Sequence, residues 1–153
     1  MERFERTFPL RWSDADANGH VRHTVYAELG VELRMAWLAE AGLTWKWFEE
    51  QGLGPVLLEE RSEYLREVGI GEALRVALEG VGLSPDGGFW RLRHPMYRAD
   101  GTEAARVTVY GGWLDLGARR LVPAPDALLA RLRSAHRAPD WQEIPPLKRR
   151  SGG

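Results

Sequence analysis

Four side chains able to move protons crowd the stretch from Arg11 to Tyr26: Asp14, Asp16, His20 and His23. The two carboxylates stand two residues apart in a cluster of turn formers, Ser13-Asp14-Ala15-Asp16-Ala17-Asn18-Gly19. In a turn of this composition they are not read as a pair sharing one proton. One can face a cleft while the other braces the turn. Aspartate is also common in turns and at helix caps for purely local reasons, and spacing alone favours that plainer reading for both. His20 and His23 are three apart at the start of a helical pattern, a spacing that shares a helix face. A metal site would need a third ligand with suitable geometry. Asp16 can be offered, but no H-E-x-x-H or similar motif supports it, and no metal is expected. The helix start matters more. Its free N–H groups and positive dipole end would polarise a carbonyl placed there, as an oxyanion hole does.

Other routes to similar chemistry are closed or weak. There are no cysteines, which excludes a thiolate nucleophile, thiolate metal sites and disulfides. None of the serines sits in a G-x-S-x-G elbow, and no phosphate loop of the form G-x-x-x-x-G-K-[ST] occurs. Gly52-Leu53-Gly54 lacks the downstream glycine of a dinucleotide fingerprint. Glu28, Glu32 and Glu40 are more simply explained by pairing with basic neighbours such as Arg34.

The elements that must position the Arg11–Tyr26 segment follow from hydrophobic periodicity. Phe4, Phe8, Leu10 and Trp12 alternate with polar residues, the period of a strand with one buried face. From about Thr24 to Ala41, Val25, Leu29, Leu33 and Trp37 recur every four residues. Val31, Met35 and Leu38 add a second apolar face, so the helix is expected to lie buried. Gly30 within it costs roughly 1 kcal/mol relative to Ala, and close approach to a sheet would offset that. Gly42 reads as the helix C-cap. A shorter helical or loop stretch covers Trp45 to Gln51. Strands follow over Val56 to Val68, around Leu74, Val76 and Leu78, around Trp90, Leu92 and Met96, and along Ala105, Val107, Val109 and Trp113. Asp86-Gly87-Gly88 and Asp100-Gly101 mark hairpins. Pro95 predicts an edge, bulge or bend. A short amphipathic helix starts near Pro125-Asp126, with Leu128, Leu129 and Leu132 on one side. One long helix and about five strands suggest an α+β fold, a curved antiparallel sheet wrapped around the helix. One domain is expected over residues 1–136. Residues 137–153, with Pro139, Pro145, Pro146 and the Lys148-Arg149-Arg150 triplet, read as an extended or disordered tail. The triplet reads first as solvated charge and second as a contact surface.

Composition bounds the class. The chain has 153 residues, 44% hydrophobic and 28% charged, with net charge -1, which suits one globular domain and shows no footprint for nucleic acid. No apolar run approaches the roughly 20 residues of a membrane span, and the charged start is no signal peptide. A cytoplasmic location is the expectation. Most of the seven tryptophans are expected in the core or at interfaces.

The stretch Leu10-Arg11-Trp12-Ser13-Asp14-Ala15-Asp16-Ala17-Asn18-Gly19-His20-Val21-Arg22-His23-Thr24-Val25-Tyr26 resembles the signature of the 4-hydroxybenzoyl-CoA thioesterase family, R-x-x-D-x-D-x-x-G-H/I/V-V followed by a Tyr on the new helix. Outside it the resemblance lies in element order, including the Pro123-Ala124-Pro125 step into the last helix. It implies the hotdog fold and a homodimer, often paired again into a tetramer, with active sites at the subunit interface. It implies hydrolysis of an acyl-CoA or aryl-CoA, with Asp16 as nucleophile or general base. Gly19 would allow the tight turn. Backbone N–H groups near His23 and Thr24 would hold the carbonyl oxygen, with His20, Val21 and Tyr26 beside the substrate. Many members carry two Asn where this chain has Arg22 and His23, and another branch carries His at the position of His23. His23 is therefore expected to orient the thioester or a water, and His20 to serve packing and the turn. No cofactor is implied, CoA being part of the substrate. Its phosphates would need cations, for which Arg61, Arg66, Arg91, Arg93, Arg119 and Arg120 are candidates. The alternative is a hotdog module that binds an acyl thioester without cleaving it. Hydratase activity, which the fold also hosts, lacks an Asp-x-x-x-x-His pattern, since Gly19 and Val21 stand five residues after Asp14 and Asp16.

Overall fold

The structure, a computed structural model, describes residues 2–148. Arg149, Arg150 and the Ser-Gly-Gly end lie outside them, and with them most of the basic triplet. Strand β1 (Phe4–Pro9) leads through a 3-10 turn (Trp12–Asp14) into helix α1 (His23–Glu40). Helix α2 (Trp45–Gln51) follows, then strands β2 (Leu53–Tyr64), β3 (Ala73–Leu83), β4 (Phe89–Tyr97) and β5 (Glu103–Asp115). The chain closes with β6 (Arg120–Val122), α3 (Asp126–Arg133) and β7 (Arg137–Glu143).

The sheet runs in the order β1-β3-β4-β5-β2, with β6 on β5 and β7 on β3. All neighbours are antiparallel except β7, which pairs with β3 in parallel over Gly80–Leu83, beyond the stretch that β1 covers. The fold is α+β as expected; among the described residues the sheet has seven strands rather than about five, and the 18-residue α1 is joined by the two shorter helices α2 and α3. The two extra strands are invisible to period-two reasoning: β6 has three residues, and β7 carries Pro139, which is tolerated because β7 pairs on one side only. Ordered sheet thus continues past residue 136, into the segment expected to be an extended or disordered tail.

The 18 residues of α1 are the longest helix and lie against β3 and β5. Val25, Leu33 and Trp37 are buried on it, meeting Leu74, Val76 and Leu78 of β3, Met96 of β4 and Val107 and Val109 of β5 in one cluster. Each such side chain contributes about 1.5–3 kcal/mol on burial. The second apolar face is not closed, because Val31 and Met35 are each 40% exposed in the single chain while Leu38 is buried. The helix ends in a Schellman motif: Gly42, at φ +80°, donates to Ala39 O, and Leu43 donates to Leu38 O at 3.0 Å. Of the tryptophans, Trp12 and Trp45 are exposed, while Trp37, Trp90 and Trp113 are buried.

Gly30 does what close approach requires. A Cβ there would stand 3.2 Å from His94 Cδ2 on β4. Beside His94, Pro95 sits inside the sheet, not at its edge, with a register shift against β5 between Met96 and Tyr97. Proline has no N–H for the β3 ladder. The Ala77 carbonyl takes the imidazole instead, with His94 Nδ1 at 3.1 Å.

Candidate active site

The strand-to-helix turn gives the two carboxylates different surroundings. Asp14 is buried and closes the 3-10 turn. Its Oδ2 accepts from Arg11 N at 2.7 Å and its Oδ1 from Arg11 Nη2 at 3.1 Å, and its own carbonyl accepts from Arg22 N at 2.7 Å. The Arg11 backbone bond, offset in part by burial and reinforced by the Arg11 and Arg22 guanidiniums, holds its carboxyl below the usual aspartate range. Asp14 therefore braces the turn.

Asp16 is exposed. Its Oδ1 accepts from Asn18 N at 2.8 Å and His20 N at 3.1 Å, an Asx-type turn, while the Asp16 backbone takes up both sides of the loop through His20 O and Gly19 N. No bond to its Oδ2 occurs among the described residues. Gly19, at φ +75°, makes the turn that an L side chain would strain.

His23 is the first residue of α1, and the backbone N–H groups of His23 and Thr24 meet no acceptor among the described residues. Arg22 caps the helix with extended backbone and anchors the entry, its guanidinium bonding Ser13 O and, through Nε at 3.0 Å, Thr24 Oγ1. The His23 ring meets Tyr64 edge-on at 6.5 Å, and Tyr64 in turn lies 5.5 Å from the Tyr26 ring. Burial, then Tyr64 and Asp16, raise the Tyr26 pKa, so its phenol remains an O–H donor at neutral pH.

One pocket of about 420 Å³ brings together Asp16, His20, Val21, His23 and Tyr26 of the expected site, while Gly19 and Thr24 do not line it. Gly19 shapes the turn and Thr24 faces solvent. His20 Nε2 lies 3.4 Å from Glu67 Oε2 and its backbone bridges to Gly69. Val21 is buried and donates to Val68 O at 2.8 Å. The rest of the lining comes from Asn18, the end of β2 and the following loop: Tyr64, Leu65, Arg66, Glu67 and Val68. The hydrophobic pattern extends the strand over this run, and of these residues Arg66 alone stands among the expected CoA-phosphate contacts. A tyrosine at a strand end opposite a helix start was the one signal on offer. Among the described residues no group of three His, Asp or Glu side chains is placed to hold a metal ion, and no helix is long and apolar enough to cross a membrane.

The α+β scaffold and its strand order fall in a class that comparison makes explicit. Residues 10–132 match the model of the Thioesterase-like superfamily, and the chain belongs to that family of thioester hydrolases. It is 29% identical over 144 residues to 1,4-dihydroxy-2-naphthoyl-CoA hydrolase of Thermosynechococcus vestitus, covering 86% of this chain and 88% of that one. Its fold superposes on protein SAV2348 of Staphylococcus aureus, solved in complex with CoA, with TM-score 0.83 and 21% identity over 92% of this chain and 90% of that one. It also superposes on Slr0204, a 1,4-dihydroxy-2-naphthoyl-CoA thioesterase from Synechocystis, with TM-score 0.78 and 16% identity over 87% and 97%. At these identities the two solved structures speak for the fold.

Proposed function

We propose that the protein hydrolyses an acyl-CoA or aryl-CoA to the free acid and CoA, with Asp16 as nucleophile or general base. The observation that carries this reading is the pocket in which Asp16 and His23 meet at the open start of α1. The thioester carbonyl would lie against the His23 and Thr24 N–H groups, where one oxyanion donor is worth about 3 kcal/mol. Asp16 would attack it or draw a proton from water, a role worth about 100-fold or more. His23 orients the thioester or water, and Tyr26 adds a donor. Arg66, on the same pocket, is the best-placed cation for a CoA phosphate. CoA enters as substrate and no bound cofactor takes part.

The active unit in this reading is a cytoplasmic homodimer able to pair again into a tetramer. Strand β2 supports it: twelve residues long, at the end of the strand order, with Leu57 and Leu58 43% and 45% exposed. A free edge of that length invites pairing with a second copy. Sedimentation velocity reads the assembly directly.

A second reading has one observation in its favour. Asp16 Oδ1 is already engaged by two backbone N–H groups, as in a purely structural turn. On that reading the pocket holds an acyl thioester without cleaving it. A panel of acyl-CoAs with free-thiol detection separates the two. Hydrolysis by the wild type and a loss of at least about tenfold in Asp16→Ala supports the enzyme. Equal turnover by both makes Asp16 structural. No turnover, with acyl-CoA raising the melting temperature, supports the binding module.

A further inference from the structure

A second cavity, of about 210 Å³, lies between the C-terminal half of α1 and the sheet and shares no lining residue with the Asp16 pocket. Its wall is built of apolar and indole side chains, with Arg34 the one charged residue on it. Arg34 is 6% exposed and Trp90 3%. Arg34 makes no ion pair among the described residues. Its one bond, at 3.0 Å, is from Nη1 to His94 Nε2. That imidazole is neutral, since its Nδ1–H is committed to the Ala77 carbonyl and its Nε2 must accept. Trp90 Nε1 is buried with no acceptor among the described residues.

We propose that this cavity binds the carboxylate of a compact hydrophobic acid, held by the Arg34 guanidinium. A buried positive charge with no bonded counter-ion is costly: Glu60 acts on Arg34 only through space and is outweighed by burial, and a neutral histidine satisfies one N–H without compensating the charge. Water would leave that charge uncompensated in the same way. A carboxylate matches the planar guanidinium fork and accepts two N–H bonds from it. The size agrees, since a cavity of about 150 Å³ lined by apolar side chains admits benzene. This one has room for a six-membered ring and a carboxylate. Phosphate finds no second charged side chain here and would leave the apolar wall unused. Entry is open beside Val31 and Met35, each 40% exposed. The inference does not rest on the thioester hydrolysis proposed above, because neither Asp16 nor α1's first turn takes part.

The test uses cyclohexanecarboxylate and its uncharged amide as probes, with tryptophan fluorescence and melting temperature as readouts. The wild type is expected to bind the acid at least tenfold more tightly than the amide. Arg34→Met loses that preference. Trp90→Phe keeps the preference for acid. In indole N–H NMR spectra, the resonance absent from Trp90→Phe moves on adding acid to the wild type, which locates the ligand even where Arg34→Met fails to fold. Equal binding of acid and amide by the wild type, undiminished acid preference in Arg34→Met, or a stationary Trp90 resonance each overturns the proposal. Loss of thioester hydrolysis in Asp16→Ala leaves these readings unchanged, so the two proposals fail separately.

Discussion

The turn around Asp16 and the cluster around Arg34 both set charge beside α1, in opposite surroundings. In the turn, a short polar loop carries one buried carboxylate, Asp14, saturated by local bonds, and one exposed carboxylate, Asp16, left partly open. In the cluster, Arg34, His94 and Ala77 come from α1, β4 and β3 and are buried. The turn can adjust, since its partners lie within eleven residues of one another and solvent can replace a lost bond. The cluster cannot, since each member is the other's only satisfaction. The difference predicts that changes in the cluster are felt in stability, and changes in the turn in turnover.

The largest effect is expected at His94. His94→Ala strips Arg34 of its bond and leaves the Ala77 carbonyl without a donor where Pro95 supplies none. Two buried polar groups left open, one of them charged, cost about 3 kcal/mol. His94→Gln, whose amide can accept from Arg34 and donate to Ala77, recovers much of this. The pair also separates the pH dependence. Burial, then Arg34, holds the His94 pKa down to about 3, whereas an unfolded imidazole titrates near about 6.5. Between those values the unfolded chain binds the extra proton, so stability is full above about pH 6.5 and declines as pH falls. Urea denaturation from pH 7 to pH 4 is expected to show this decline in the wild type and a flatter profile in His94→Gln. Parallel profiles would break the buried-cluster description.

Next in size is Asp14, the one buried group of the turn. Asp14→Ala removes two bonds from Arg11 and is expected to cost about 2 kcal/mol. Asp14 has a lowered pKa, so its contribution is present above the unfolded aspartate value of about 3.9 and lost as pH falls through the folded one. Asp16→Ala, at an exposed carboxylate, costs under about 1 kcal/mol while carrying the larger loss of turnover. Chemical denaturation of the two variants side by side checks this. A stability loss at Asp16 equal to that at Asp14 would erase the division of labour between them.

These two regions also mark what could be read from the residues alone. The turn was legible because all its determinants are local: an alternating strand, a run of turn formers and the start of a periodic helix lie within some twenty residues. Which of the two aspartates is buried, Asp14, was not legible, since both fit a turn equally well. The lining from Tyr64 to Val68 escaped because proximity across the sheet leaves no mark on sequence spacing. The cluster was half legible. Gly30 announced a close approach, and Pro95 announced an irregularity, yet that His94 fills both needs depends on register between strands. Pairing Arg34 with a helical glutamate, the cheap expectation, failed because Arg34 lies on the buried side of α1 while Glu28 and Glu32 lie on the exposed one.

The smallest predicted effect, at Gly30, discriminates most sharply between a loose cluster and a pinned one. Alanine in a helix interior is worth about 1 kcal/mol over glycine. At an open helical site Gly→Ala would deliver that gain in full. At position 30 the new methyl would stand 3.2 Å from His94 Cδ2 and 3.5 Å from Arg34 Nη1. The methyl fits only if the imidazole retreats by a few tenths of an ångström. His94 is held at both ring nitrogens, so a retreat stretches the Ala77 bond, the Arg34 bond or both. Lengthening those bonds offsets the propensity gain, and Gly30→Ala is expected to leave stability within about 1 kcal/mol of the wild type, on the side of loss. In the His94→Gln background the pinned ring is gone, and the same substitution should recover part of its gain. A double-mutant cycle by urea denaturation measures the coupling. Strict additivity of the two changes would mean that the glycine and the histidine do not feel each other, and the close packing of α1 on β4 would then need another cause.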